Sequence, residues 1–242
     1  MEPQDTGRRL SPAARHMQRM AAARAAAQEP PPRPSAAGHE HELLLAQLYE
    51  HVKTLKAIQS VEKKIEAKAA MAPVYDAYID GVLQSNSGAQ DPIVATVMVW
   101  NIDAARYPRA LQIARYMLAH GLKLPDQYQR GVPTLLLDEI SEAVIAGRLS
   151  GDDAVHTLDE VRQLTEARDA PDQARAKLHK AIGWACMGKT RTHDVDPKEL
   201  PLDPCKAAIW NLSRALELDA NAGVKKDVER LQRRIESLQP PN

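Results

Sequence analysis

Apolar residues recur at steps of three and four along most of this 242-residue chain, and this helical period constrains the fold more than any other feature. No segment alternates apolar and polar residues with β-branched side chains over five or more positions, the pattern of a half-buried strand. Phenylalanine is absent and aromatic residues make up only 4% of the chain, which weakens the strand signals further. The sequence therefore predicts an all-α protein.

The clearest helical signal lies in residues 88–124, which predict two antiparallel helices joined by a short corner. Apolar residues keep helical spacing in both halves of this segment. Pro108 favours a helix that begins at Tyr107, because the first turn does not need the missing proline N–H. Gly121 favours a helix end, because glycine adopts the left-handed cap conformation without steric cost.

Composition divides the chain into four segments. We predict a flexible tail rich in Ala, Arg and Pro over 1–38, a long helix over 39–71, a central helical domain over 72–170 and a C-terminal helical-hairpin region over 171–242. The expected architecture is a long amphipathic, coiled-coil-like helix followed by stacked helical hairpins. The last hairpins are partly tetratricopeptide-like, although two short, weakly similar segments at irregular spacing do not establish a regular repeat.

The predicted helix over 39–71 carries a narrow apolar seam of the coiled-coil type. Two interpretations of this seam are equally compatible with the pattern. It is either a contact between copies of the chain or the face that an amphipathic helix packs on its own domain. The residues expected at an oligomer seam are Leu45, Leu48, Val52, Leu55 and Ile58.

Charge and cysteine content restrict the class of protein. The chain has 32 basic and 32 acidic residues, which argues against a domain that is basic over its whole surface. The N-terminus lacks the apolar core of a secretory signal, and no run approaches the ~18 apolar residues of a membrane span. We therefore expect a protein of a reducing cytoplasm, neither secreted nor membrane-bound, with Cys186 and Cys205 as free thiols.

One loop cluster, HDVDPKE over residues 193–199, has the residue types of a magnesium site. Metal-dependent nucleases hold Mg²⁺ with clustered carboxylates, so Asp194, Asp196 and Glu199 are weak catalytic candidates. Such loops are more often solvated turns. The two cysteines lack the paired spacing of a zinc site, and no GxxxxGK[ST] phosphate loop is present. Apart from Mg²⁺ in the nuclease case, no cofactor is expected.

Basic residues suggest contact with nucleic acid at two places. In the N-terminal tail, Arg15, Arg19 and Arg24 fall near one face of a possible helix, where guanidinium groups could neutralise phosphates. The alternative for this segment is a solvated tail. A weaker set lies near the C-terminus, where acidic residues are interleaved and an ordinary solvated face is the alternative. Its members are Lys225, Lys226, Arg230, Arg233 and Arg234.

Most aromatic side chains are expected in the core, because each falls in a predicted helix with apolar neighbours. The three tryptophans are Trp100, Trp184 and Trp210. Four tyrosines are expected to pack with their hydroxyls reaching polar partners, namely Tyr75, Tyr78, Tyr107 and Tyr116.

Several phrases of this sequence resemble the small terminase subunit family of peduovirus-type tailed bacteriophages. The strongest are AQDPIVATVMVW followed by ALQIARYMLAHGLKLP in residues 89–125. ARAKLHKAIG in residues 174–183 and ALELDANAGVKKDVERL in residues 215–231 are also similar to the family, as is SPAARHMQRMAAA in residues 11–23. The resemblance covers most of the chain from about Ser11, but these phrases contain no catalytic motif.

The resemblance implies a protein that recognises the packaging site on double-stranded phage DNA in the bacterial host cytoplasm. It also implies a homo-oligomer, ring-like or otherwise, that delivers DNA to the large terminase subunit with its ATPase and nuclease. Some members end in a Lys/Arg-rich tail and this sequence does not, which shifts the expected DNA contact towards the N-terminal arginines. Because the family is often called an endonuclease, site-specific Mg²⁺-dependent cutting is an alternative. A helical scaffold that binds only protein is another.

Overall fold

The computed structural model describes residues 36–125 and 129–238, and these are helical with no strand among them. The all-α prediction is therefore confirmed. The α-helices in these ranges are α1 (Ala36–Ala57), α2 (Val61–Met71), α3 (Asp76–Ser85), α4 (Pro92–Asp103), α5 (Tyr107–Ala119), α6 (Val132–Ile145), α7 (Gly151–Thr165), α8 (Asp172–Met187), α9 (Leu202–Leu218) and α10 (Lys225–Leu238). Short 3₁₀ turns occupy Ala72–Tyr75 and Pro197–Glu199. No helix in the described ranges is long and apolar enough to cross a membrane.

The segment predicted as one helix over 39–71 is divided between α1 and α2. Ser60 adopts an extended conformation (φ −66°, ψ 128°), and its hydroxyl accepts a hydrogen bond from the backbone N–H of Lys63 at 3.4 Å. Serine in this conformation is a favoured N-cap, so it starts a second helix. The apolar seam continues through the break, which is why its spacing alone does not reveal the division.

Residues 45–238 belong to one compact unit, and α1 residues before Leu45 belong to another. Within the larger unit, Leu48 and Leu55 are only 3% and 7% exposed, so part of the apolar seam packs against its own chain. His51 lies between them and contacts Tyr75, whose hydroxyl is 2.9 Å from its Nδ1. In-chain packing accounts for Leu48 and Leu55. An oligomer contact remains a prediction for the half-buried seam residues Leu45 and Val52 of α1 and Ile58, which follows α1.

The hairpin predicted in residues 88–124 is formed by α4 and α5. Asp91 caps α4 by accepting a hydrogen bond from the backbone N–H of Ile93 at 2.7 Å. Nearly all of α4 is buried, because α2, α5 and the Ala72–Tyr75 turn pack around it. As expected, α5 begins at Tyr107 and the chain leaves it through Gly121, at φ +64°. Both helices of this hairpin contribute many buried residues to the core.

The C-terminal half stacks α6, α8, α9 and α10 in sequence. Helices α8 and α9 pack tightly at Gly183, where an added methyl group would lie 2.5 Å from Cδ2 of Leu212. Cys186 and Cys205 lie on these two helices as free thiols, as predicted. The tetratricopeptide likeness of this region remains a prediction.

The structure confirms two of the three tryptophan predictions. Trp100 and Trp184 are buried, whereas Trp210 is 63% exposed and its assignment to the core is wrong. The buried face of α9 consists of small and medium side chains that meet α8 and α10. Trp210 lies outside this face, where its ring contacts His179 of α8 edge-on, with ring centroids 5.8 Å apart. Tyr75, Tyr107 and Tyr116 are buried as expected, and Tyr78 is half-buried. Their hydroxyl partners include Asp91 for Tyr78 and the Gly88 N–H for Tyr116.

Candidate nucleic-acid interface

A basic groove lies where the loop over residues 189–199 packs along α10. Its two ends have volumes of about 590 and 810 Å³. Eight basic side chains line it, against three carboxylates. The basic residues are Lys189, Arg191, Lys198, Lys225, Lys226, Arg230, Arg233 and Arg234. The carboxylates are Asp194, Asp196 and Asp227.

Helical spacing places the basic residues of α10 together. Lys226, Arg230 and Arg233 follow one another at steps of four and three, so they share one helix face. The acidic residues interleaved in the sequence do not oppose this face. Glu229 and Glu236 do not line the groove. All five C-terminal residues predicted to contact DNA therefore lie in one groove.

The third acidic residue interleaved in α10, Asp227, is buried beneath the groove. Its carboxylate accepts hydrogen bonds from Nε1 of Trp184 at 3.0 Å and from Nζ of Lys189 at 2.7 Å. The Lys189 ammonium also lies 5.0 Å from the centre of the Trp184 ring, within the range of a cation–π contact. These contacts fix the beginning of the 189–199 loop against α10.

Asp194 joins the two walls of the groove at the surface. One carboxylate oxygen is 2.7 Å from Nζ of Lys189 and the other is 2.9 Å from Nη1 of Arg230. Hydrogen bonds from Lys189 and then Arg230 lower the pKa of Asp194 to about 2. Burial acts to lower the pKa of Lys189, but its hydrogen bonds to Asp194 and Asp227 outweigh burial and raise it. The carboxylate is therefore ionised and the lysine charged at neutral pH.

The family model described as the phage small terminase subunit matches residues 45–173, more than half of the chain. The chain belongs to the phage small terminase subunit family. It is 36% identical over 232 residues to the terminase, endonuclease subunit of Escherichia phage P2, covering 96% of this chain and 88% of that one. It is 22% identical over 207 residues to the probable terminase, endonuclease subunit of Haemophilus phage HP1 (strain HP1c1), covering 83% and 72% respectively. No solved structure matches the chain significantly.

These matches confirm the resemblance to small terminase subunits that the sequence phrases indicate. The family model ends at residue 173, before the basic groove begins at Lys189. The similarity to the phage P2 protein covers 96% of the chain and so includes most of the groove.

Both relatives of this small terminase subunit are named endonuclease subunits. The surroundings of the predicted catalytic residues Asp194, Asp196 and Glu199 therefore bear on whether the chain could cut DNA. Asp194 faces two cations. The Asp196 carboxylate accepts a hydrogen bond from the backbone N–H of Lys198 at 3.1 Å and so caps the Pro197–Glu199 turn. Across residues 36–125 and 129–238, no group of three or more His, Cys, Asp or Glu side chains is arranged to hold a metal ion. Closeness in the sequence thus does not bring the Asp194, Asp196 and Glu199 carboxylates together here.

The other predicted DNA-contact residues of this small terminase subunit, Arg15, Arg19 and Arg24, lie outside the described residues. Sequence reasoning missed three members of the basic groove, all from the loop. They are Lys189, Arg191 and Lys198. Their signal is present in KTRTHDVDPKE, where basic residues stand beside and within the acidic cluster, but this pattern was interpreted as a metal site.

Proposed function

We propose that this small terminase subunit is a non-catalytic DNA-binding subunit that contacts duplex phosphates through the basic groove. Family membership supports a role in phage DNA packaging. The observation that supports the DNA contact most strongly is the placement of the α10 arginines on one face, with Glu229 and Glu236 outside the groove and Asp227 buried. A face of this kind attracts the DNA backbone and releases its counterions.

The groove is suited to phosphates rather than to bases. Its charged side chains come from the outer face of one helix and from a loop, and phosphate contacts fix position without reading sequence. Recognition of the packaging site therefore needs further contacts. In this proposal the N-terminal arginines Arg15, Arg19 and Arg24 add to DNA binding.

The proposal also includes the assembly. Copies of the chain form a homo-oligomer, ring-like in its simplest closed form, and deliver double-stranded phage DNA to the large terminase subunit in the host cytoplasm. Closed rings are a common outcome of head-to-tail contacts between identical chains. The proposed oligomer seam uses the half-buried residues Leu45, Val52 and Ile58.

Binding of a fluorescently labelled DNA duplex to the purified chain tests the groove. We expect Arg230→Ala/Arg233→Ala to weaken binding roughly tenfold, the sum of two modest phosphate contacts. The matched control is Arg115→Ala/Arg214→Ala, which removes two arginines from surface pairs with Glu160 and Glu217 outside the groove.

The two proposed DNA contacts are separated by comparing the groove variant with Arg15→Ala/Arg19→Ala/Arg24→Ala. Loss of binding in both variants supports both contacts. Unchanged binding in the groove variant, with loss in the tail variant, would assign the DNA contact to the tail alone and overturn the groove.

A site-specific Mg²⁺-dependent endonuclease is the second candidate, favoured by the names of the two relatives. It predicts that the purified chain cuts packaging-site DNA when Mg²⁺ is added and that Asp194→Ala/Asp196→Ala abolishes cutting. The ion pairs that Asp194 forms with Lys189 and Arg230 support DNA binding better than they support an endonuclease function. A scaffold that binds only protein would show no salt-sensitive DNA binding at all.

A further inference from the structure

The centre of the basic groove is occupied by a carboxylate of the chain itself. Asp194 and Arg230 line both ends of the groove, and Asp194 bridges Arg230 to Lys189 on the opposite wall. The position between these two cations is where an anion would be bound most strongly. It is filled by an acid on a loop, next to a face proposed to bind phosphates.

We propose that Asp194 masks a phosphate-binding position between Lys189 and Arg230, and that a DNA phosphate displaces its carboxylate when the groove is occupied. This inference rests on the proposed DNA-binding function of the groove. It gives Asp194 a regulatory role, because its carboxylate weakens the contact between the groove and DNA phosphates.

The cationic side of this position is preorganised. Lys189 is only 12% exposed, because the buried Asp227 carboxylate and the Trp184 ring hold its ammonium group in place. A lysine ammonium has three donors, so the bond to Asp227 leaves others free to point to the surface. When Asp194 leaves, Lys189 keeps its buried partner and its position. A phosphate that enters finds a donor whose geometry is already fixed.

The Asp194 carboxylate can leave the position between the two cations. The Asp194 side chain is 59% exposed, and water solvates its carboxylate readily once it leaves the two cations. The turn that precedes it is held independently, since Thr190 N–H donates to the carbonyl of His193 at 2.9 Å and His193 N–H donates to the Thr190 hydroxyl at 3.1 Å. Asp194 can therefore swing away without loss of the turn. Phosphodiester oxygens then accept the same charge-assisted hydrogen bonds from Lys189 and Arg230.

A purely structural role for Asp194 predicts the opposite effect on DNA. If Asp194 serves to hold the loop against α10, its removal loosens the groove and weakens binding. If it masks the position, its removal exposes Lys189 and Arg230 and strengthens binding. The direction of the change in affinity therefore separates the two roles.

The experiment measures binding of a labelled duplex of arbitrary sequence to the full chain, because phosphate contacts are independent of sequence. We expect Asp194→Asn to bind about two- to fivefold more tightly than the wild type, the range that an exposed ion pair contributes. Asp159→Asn is the matched control. It removes the same charge from an exposed ion pair, but Asp159 pairs with Arg162 on α7, outside the groove. We expect its affinity to stay near that of the wild type.

Masking is overturned if Asp194→Asn binds no more tightly than the wild type, or if Asp159→Asn gains as much, since the gain would then reflect net charge. A second test combines Asp194→Asn with Arg230→Ala. Masking predicts that the gain shrinks in this background, because neighbouring residues that share a ligand are not additive. An undiminished gain contradicts it. Thermal unfolding by circular dichroism checks that each variant is folded.

The outcomes also separate this inference from the proposed function. If the wild type binds DNA and Arg230→Ala/Arg233→Ala weakens it, but Asp194→Asn gives no gain, only the masking is wrong. If neither the wild type nor Asp194→Asn binds DNA, both are wrong. Binding by Asp194→Asn alone supports both.

Discussion

Asp227 shows at the scale of one residue how a buried carboxylate can order a basic surface. In the sequence it stands among the basic residues of α10 and counts against a DNA-binding face. In the structure it lies beneath that face and holds Lys189 and Trp184. The burial of a side chain depends on partners far along the chain, here 38 and 43 residues away, and helical spacing carries no information about them.

The tryptophans give a test at the same scale. Helical spacing predicts that all three tryptophans lie in the core. Tertiary packing, however, decides which face of a helix is buried, and in α9 it leaves Trp210 exposed. We expect Trp100→Ala to lower the free energy of unfolding by about 3–5 kcal/mol, since it empties a buried site beside Tyr75 and His51. Trp210→Ala is the control and should cost less than about 1 kcal/mol.

Urea-induced unfolding followed by circular dichroism measures both variants. Equal losses of stability in Trp100→Ala and Trp210→Ala would show that Trp210 is packed in the folded protein. That result would contradict the exposed position assigned to it.

At the scale of elements, local signals predicted helix ends well where they come from backbone chemistry. Tyr107-Pro108 and Gly121 mark the bounds of α5 because proline and glycine restrict the backbone directly. The break before α2 was missed, because apolar residues continue across Ser60 at a helical step of three, from Ile58 to Val61. A serine N-cap is a weaker signal than a proline or a glycine, and an apolar period can run through it.

The contact between α8 and α9 leads to a prediction about glycine. In a helix interior, replacing glycine with alanine normally stabilises by about 0.5–1 kcal/mol. In Gly183→Ala, however, the new methyl group would lie 2.5 Å from the buried side chain of Leu212 and 3.2 Å from the carbonyl oxygen of Ala208. We expect a net loss of about 1–3 kcal/mol in the free energy of unfolding, measured by urea denaturation.

Gly81→Ala in α3 is the matched control, since no atom lies within 4 Å of the added methyl group. We expect it to stabilise the protein by about 0.5–1 kcal/mol. Stabilisation of similar size in Gly183→Ala would show that α8 and α9 leave room for the added methyl group, contrary to its 2.5 Å distance from Leu212.

For the whole molecule, the sequence sufficed to predict the helical class and the family, because these depend on many residues at once. It also identified the basic residues of α10. It did not predict the groove, since the loop over 189–199 lies against α10 only through tertiary contacts such as Lys189 to Asp227 and Asp194 to Arg230. The acids of that loop suggested a metal site, whereas the fold pairs Asp194 with cations.

The salt dependence of DNA binding tests directly whether the basic groove contacts duplex phosphates. The logarithm of the association constant falls linearly with the logarithm of salt concentration, by roughly 0.9 for each phosphate neutralised. We predict that Arg230→Ala/Arg233→Ala reduces the magnitude of this slope by about two relative to the wild type. The Arg115→Ala/Arg214→Ala control should keep the wild-type slope. An unchanged slope in the groove variant would show that Arg230 and Arg233 do not contact DNA phosphates.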